Sequence, residues 1–76
     1  MGYIKSVVPR EDYKLKVTMD NGNSLILGMR SKLDTIRFGM LENKEFFDTV
    51  TTDGRCIKWQ DKIEISVNEI FQMAQK

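Results

Sequence analysis

The chain has 76 residues, of which 41% are hydrophobic and 30% charged, and its 12 Lys and Arg against 11 Asp and Glu give a net charge of +1. This length predicts one domain, residues 1–76, with a core near the lower limit for independent folding. A balance so close to neutral argues against a strongly basic nucleic-acid binder, and the absence of histidine removes the usual general base near neutral pH.

The cysteine content and the apolar runs indicate the compartment. One cysteine excludes an intrachain disulfide and a cysteine-based metal site, and it suits a reducing environment. No apolar run approaches the roughly 20 residues of a membrane span, and no signal peptide is visible. We therefore expect a cytoplasmic protein with no metal, no cofactor and no membrane association.

The first 29 residues predict three strands. Residues 3–8 are rich in β-formers, and Pro9 is expected to close this strand. Residues 13–19 alternate apolar and polar side chains, which is typical of a half-buried strand, and the return strand has its apolar side chains at Leu25, Leu27 and Met29.

The turn at residues 20–22 sets the pairing of this hairpin. A two-residue loop would pair Val17 with Ile26, whereas a three-residue loop pairs Val17 with Leu25. The apolar pattern favours the second register, because a slip of one residue would move every side chain to the other face. Gly22 would then adopt the left-handed position that follows a type I turn.

The middle of the chain predicts a short helix that begins at the cap Ser31 and ends at Gly39. Its apolar side would be formed by Leu33, Ile36 and Phe38. For residues 40–45 the sequence leaves open a second helical turn or an irregular loop.

Residues 46–59 carry a strong hairpin signal, because two β-rich runs flank Asp53 and Gly54. A two-residue loop at this pair would place Val50 opposite Ile57, with Trp59 on the same face.

The last segment predicts a short strand and a helix. Ile63 and Ile65 alternate with charged residues, and Ser66 and Glu69 form a capping box. The apolar face of the helix would consist of Val67, Ile70, Phe71 and Ala74. The predicted class is α+β: an antiparallel meander of two hairpins plus an N-terminal strand, packed with a short middle helix and a C-terminal helix.

The order of these signals resembles that of a bacterial domain of unknown function, DUF family 2442. The shared pattern consists of the turn 20–22 after an amphipathic strand, Gly39-x-Leu41, Phe46 or Phe47, Val50, Ile57-Lys58-Trp59, and the 64–71 segment that opens the final helix. Members often have Pro after the Trp, where this chain has Gln60. The family has no established activity. Since some members look fused to helix-turn-helix domains and others accompany small toxin-like partners, the resemblance implies a regulatory or interaction role.

No catalytic constellation is visible, so we predict no enzyme and no catalytic residues. Cys56 has no histidine partner, and the carboxylates are scattered among turns and strands.

Two groups of residues are candidates for binding. Trp59 is either an exposed anchor for a partner or the largest side chain of a small core; with Phe47 and Tyr13 it forms the predicted partner-binding set. The second group, Lys14, Lys16 and Lys58, would form a nucleic-acid surface, although lysines also mark solvated faces and sheet edges. The leading hypothesis is a non-enzymatic interaction module that binds a second copy as a homodimer or a small protein partner. The alternative is an accessory nucleic-acid-binding domain.

Overall fold

Six strands and two helices are formed by the residues that the computed structural model describes, residues 3–74 of the predicted domain 1–76. The strands are β1 Ile4–Arg10, β2 Lys14–Met19, β3 Ser24–Gly28, β4 Thr51–Thr52, β5 Cys56–Trp59 and β6 Ile63–Ser66. The helices are α1 Lys44–Phe47 and α2 Val67–Ala74, with 3-10 turns at Glu11–Tyr13, Arg30–Lys32 and Gly39–Glu42.

The strands form two antiparallel three-stranded sheets, β1-β2-β3 and β4-β5-β6, which confirms the predicted α+β class. The inner faces of both sheets meet in one buried cluster, and α2 packs against β3 and β6. The Ile4 amide donates to the Gly54 carbonyl at 2.8 Å, so the two sheets also touch where β1 begins.

The first hairpin has the predicted register. Val17 pairs with Leu25, the Gly22 amide bonds to the Met19 carbonyl at 3.0 Å, and Gly22 has φ +92°. The apolar alternation of β2 therefore fixes both the pairing and the loop length.

The end of β1 differs from the prediction, because Pro9 does not close this strand. Pro9 pairs with Leu15, and β1 continues to Arg10. β1 is an edge strand of its sheet. Proline is tolerated in edge strands, because the side of the strand that faces away from the sheet forms no ladder hydrogen bonds.

The predicted helix between Ser31 and Gly39 is wrong. The segment forms 3-10 turns, Ile36 is fully exposed and only Phe38 of its apolar side is buried. The α-helical turn comes later, at Lys44–Phe47, in place of the predicted start of a strand. Asn43 caps this turn, because its side chain accepts hydrogen bonds from the next two backbone amides.

The second hairpin is shifted by two residues from the predicted register. Thr52, not Val50, pairs with Ile57. The cause is the Asp53 carboxylate, which accepts from the Arg55 and Cys56 amides at 2.9 and 3.1 Å and so makes Asp53 the first residue of the turn.

The turn between β5 and β6 is a type I′ turn without glycine. Gln60 and Asp61 have φ +52° and +62°, and the Lys62 amide donates to the Trp59 carbonyl at 2.9 Å. This left-handed conformation costs about 1–3 kcal/mol of free energy for each residue that is not glycine.

The predicted capping box at the start of α2 is confirmed and also anchors the long loop. The Ser66 hydroxyl accepts from the Glu69 amide at 3.2 Å, and the Glu69 carboxylate accepts from the Ser66 amide at 3.4 Å. The Arg37 guanidinium donates to both Glu69 oxygens, at 2.7 and 3.0 Å, and to the Glu64 carbonyl at 2.8 Å. Arg37 thus ties the loop to β6 and α2.

Candidate interaction surface

Trp59 belongs to the core. Its side chain is fully buried, and its Nε1 donates to the Phe47 carbonyl at 2.9 Å. Of the two alternatives that the sequence left open, the structure confirms burial. An indole with its polar atom satisfied inside the protein presents no surface to a partner.

Phe47 and Tyr13 lie in the same aromatic cluster. Phe47 is fully buried, with its ring centroid 5.2 Å from that of Tyr13 and 6.2 Å from that of Trp59. Tyr13 is partly buried, and its hydroxyl donates to the Glu42 carbonyl. The prediction that Trp59 and Phe47 contact a partner is therefore corrected, because both are fully buried and hold the long loop and α1 onto the two sheets. Partner contact by the partly exposed Tyr13 stays a prediction.

Lys14 and Lys16 lie on the outer face of the first sheet. Leu15 and Val17, which alternate with them along β2, are fully buried, so the two lysines share the solvent side. Lys14 pairs with Arg10 of β1, which adds a third cation to this side.

Lys58 does not join these lysines. It lies in β5 of the second sheet, opposite Glu64 of β6, and its Nζ is 3.8 Å from the Asp53 carboxylate. The three predicted nucleic-acid-binding lysines thus fall on two sheets, and the charge of Lys58 is compensated locally.

Apolar side chains lie between the cations of the first sheet. Lys16 is flanked by its cross-strand partners Val8 and Ile26, which are 47% and 52% exposed. We name this surface the basic–apolar face; it consists of Val8, Arg10, Lys14, Lys16 and Ile26. Polar side chains continue it toward the other end of the strands, at Ser6, Thr18 and Ser24.

One end of the basic–apolar face is concave. A depression of about 450 Å³ is lined by Arg10, Lys14 and Ile26, with Glu11 and Asp12 also contributing. The Asp12 carboxylate is 2.6 Å from the Arg30 guanidinium, so its charge is already paired. The two cations of this depression remain available to a carboxylate or phosphate from outside.

Sequence reasoning missed the apolar half of this face, although a signal for it exists. In the run Leu25-Ile26-Leu27, the two leucines pack inward, so the alternation of a strand forces Ile26 outward. The run Val7-Val8 gives the same signal in β1. An apolar residue at a position where the alternation predicts a polar one therefore marks an exposed apolar spot.

The environment of Cys56 disfavours a nucleophilic role. Partial burial, together with the carboxylates Glu64 and Asp53, raises the pKa of its thiol. A thiol protonated at neutral pH is a poor nucleophile.

Residues 3–74 contain neither a metal-binding cluster nor a membrane-spanning helix. No group of three or more Cys, Asp and Glu side chains there could hold a metal ion. Within the same residues, both helices are too short to cross a bilayer.

Comparison with known proteins finds no matching family model, no similar curated protein and no similar solved structure. The resemblance to DUF family 2442 therefore stays a prediction, and the function has to be argued from the surface itself.

Proposed function

We propose that this protein is a non-enzymatic cytoplasmic module that acts by binding another protein through the basic–apolar face. The observation that carries the proposal is the row Val8, Lys16 and Ile26, which crosses all three strands and leaves two β-branched side chains about half exposed. Scattered exposed apolar residues are ordinary on a protein surface, whereas apolar residues grouped on a regular face are typical of interaction sites.

The geometry of a sheet supports this use of the face. Strands hold their side chains on a rigid pleated surface, so a partner loses little free energy to ordering the module. The core residues that hold this surface are fully buried, among them Leu15, Val17 and Leu27. Substitutions on the outer face can therefore test binding with little effect on folding.

The test compares three forms of the full chain as bait in nuclease-treated lysate of the cells that produce it. These are the wild type, the double variant V8T/I26T, and the matched control I36T. Threonine keeps the β-branch in the strands, and Ile36 is a fully exposed isoleucine in the loop outside the face. The molar mass of each form, measured by light scattering after gel filtration, reports self-association.

We expect the wild type and I36T to retain the same protein, or the same dimer mass, and V8T/I26T to lose it. Equal capture by all three forms would contradict a role for this face. A wild-type chain that is monomeric and captures nothing would contradict the proposal as a whole.

A second candidate function, accessory nucleic-acid binding, is favoured by one observation: Arg10, Lys14 and Lys16 lie on one face. It is the weaker candidate, because Lys58 lies on the other sheet and Tyr13 is in the aromatic cluster. Its test is binding of a single-stranded oligonucleotide with a steep loss of affinity as salt rises.

A further inference from the structure

The cations of the basic–apolar face lack partners within the described part of the chain. Elsewhere in residues 3–74, Arg30, Arg37, Lys44 and Lys58 each have a carboxylate oxygen within 4.0 Å, whereas four other cations have none: Lys5, Lys32, Arg55 and Lys62. In residues 3–74 no such contact is formed by Arg10, Lys14 or Lys16.

These three cations also lie close together. Arg10 and Lys14 are directly opposite one another on neighbouring strands, and like charges in that position are destabilising. Lys16 follows two residues along the same strand, roughly 7 Å from Lys14. The face therefore concentrates uncompensated positive charge in a row with a regular spacing.

That spacing matches an extended chain. Alternate residues of any strand-like segment are also roughly 7 Å apart. An extended segment that runs along β2 would place carboxylates at alternate positions over Lys14 and Lys16. It would also contact Val8 on one side and Ile26 on the other, since they are the cross-strand partners of Lys16.

We propose that the partner contributes an extended acidic segment with carboxylate side chains at alternate positions, whose methylene groups lie against Val8 and Ile26. This inference rests on the proposed function, because it names the partner chemistry of the same face. The acidic segment supplies the missing counter-charges to Arg10, Lys14 and Lys16, and Val8 and Ile26 bury apolar area against it.

Two other occupants fit the face less well. A single-stranded nucleic acid gains much of its affinity from stacking on aromatic side chains, and no aromatic residue among residues 3–74 belongs to this face: Tyr3 lies beside Asp20, at the end of the sheet opposite Arg10. A second copy would bring the same cations face to face.

The experiment is a titration of the isotope-labelled full chain, followed by amide chemical shifts. The probe is a synthetic peptide with the sequence Glu-Val-Glu-Thr-Glu-Val-Glu. Its neutral counterpart has Gln in place of each Glu, and a single-stranded thymidine oligonucleotide of the same charge represents nucleic acids. We expect saturable shifts centred on Lys14, Lys16 and Ile26, with a dissociation constant below about 1 mM.

Charge reversal provides the decisive comparison. The variant K14E/K16E should bind the Glu peptide at least tenfold more weakly and should gain affinity for a peptide with Lys in place of Glu. The matched control R55E/K62E changes the net charge equally at two exposed positions outside the face, and it should bind the Glu peptide like the wild type. The dispersion of the amide spectrum verifies that each variant folds.

Equal affinity for the Gln peptide, tighter binding of the oligonucleotide, or shifts confined to another surface would overturn the acidic-segment inference. If these occur while V8T/I26T still loses its captured protein, the proposed function stands and only the partner chemistry is wrong. If the capture also fails to depend on the face, both are wrong.

Discussion

Replacement of Trp59 by phenylalanine tests the assignment of this residue to the core rather than to a binding surface. The variant removes the indole N–H, which donates to the Phe47 carbonyl at 2.9 Å in a fully buried site. A buried acceptor left without a partner costs about 1–3 kcal/mol, and the smaller ring adds a cavity term.

The expected loss is therefore about 2–4 kcal/mol of unfolding free energy. A domain of this length has about 4–11 kcal/mol in total, so the variant should be visibly less stable. Since roughly 4–8 °C of melting temperature corresponds to 1 kcal/mol in a small domain, the midpoint should fall by more than about 8 °C.

Urea unfolding followed by far-ultraviolet circular dichroism measures this loss, because the variant no longer contains tryptophan. The matched control is F71L, which changes an aromatic residue that is 39% exposed on α2. It should change stability by less than W59F does. As Trp59 is the chain's one tryptophan, the wild-type fluorescence should also show the blue-shifted emission of a buried indole. A W59F variant within about 0.5 kcal/mol of the wild type, or a water-exposed emission spectrum, would refute the reasoning.

Three further outcomes follow from the turn, the ion pair and the thiol. Q60N/D61G should raise the unfolding free energy by about 1 kcal/mol, because Asn-Gly suits two consecutive positive φ angles. In E69Q, the free energy of unfolding should fall less steeply than in the wild type as the pH is lowered. Hydrogen bonds from Arg37 hold the pKa of Glu69 below its ordinary 4.5, so the wild type has this stabilisation above the unfolded pKa and loses it as pH falls through the folded pKa. Cys56, whose thiol pKa is raised, should react with a disulfide reagent at pH 8 more slowly in the folded chain than in urea.

Each of these outcomes has a control. K62G introduces glycine one position further along the turn, where φ is not positive, and should destabilise, whereas Q60N/D61G should stabilise. The variant E45Q removes an exposed carboxylate outside the Arg37–Glu69 pair, and its free energy of unfolding should fall with decreasing pH as steeply as that of the wild type. The reasoning would be contradicted if Q60N/D61G changed stability in the same way as K62G, or if E69Q and E45Q had the same pH dependence. For the thiol, equally fast reaction in the folded chain and in urea would contradict it.

The sequence predicts the parts of the fold that local patterns determine. The alternation of β2 and the glycine at position 22 agree on one register, and the structure has that register. Ser66 and Glu69 form their capping box because both partners lie within one helical turn. In each case the interacting residues are close in sequence, so no distant contact has to be known.

Prediction fails where side chains or distant contacts decide the backbone. The Asp53 carboxylate moves the second hairpin by two residues, although Asp-Gly alone favours the tighter loop. In the long loop, Arg37 bonds to residues 27 and 32 positions away, and no local period predicts such ties. The cap Ser31 and the apolar spacing predicted a helix here, but tertiary contacts determine the turns that form.

The prediction of binding residues failed for a different reason. Large aromatic residues attract attention as binding residues, but a chain of 76 residues needs them to fill its core, and Trp59 and Phe47 are fully buried there. The residues available for binding are those that do not belong to the core. Ile26 is one of them, because the alternation of side chains along β3 places it on the outer face.

The arrangement of side chains on the basic–apolar face is unfavourable for the stability of the free protein. A sheet face that serves only stability would place opposite charges at cross-strand positions, whereas Arg10 faces Lys14 here. Half-exposed Val8 and Ile26 likewise leave apolar area in water that a partner could bury. An acidic segment would remove both penalties at once, and its binding should raise the free energy of unfolding by RT ln(1 + [L]/Kd). A rise in melting temperature with the Glu peptide, absent in K14E/K16E, would connect the unfavourable charge arrangement of the free face directly to recognition.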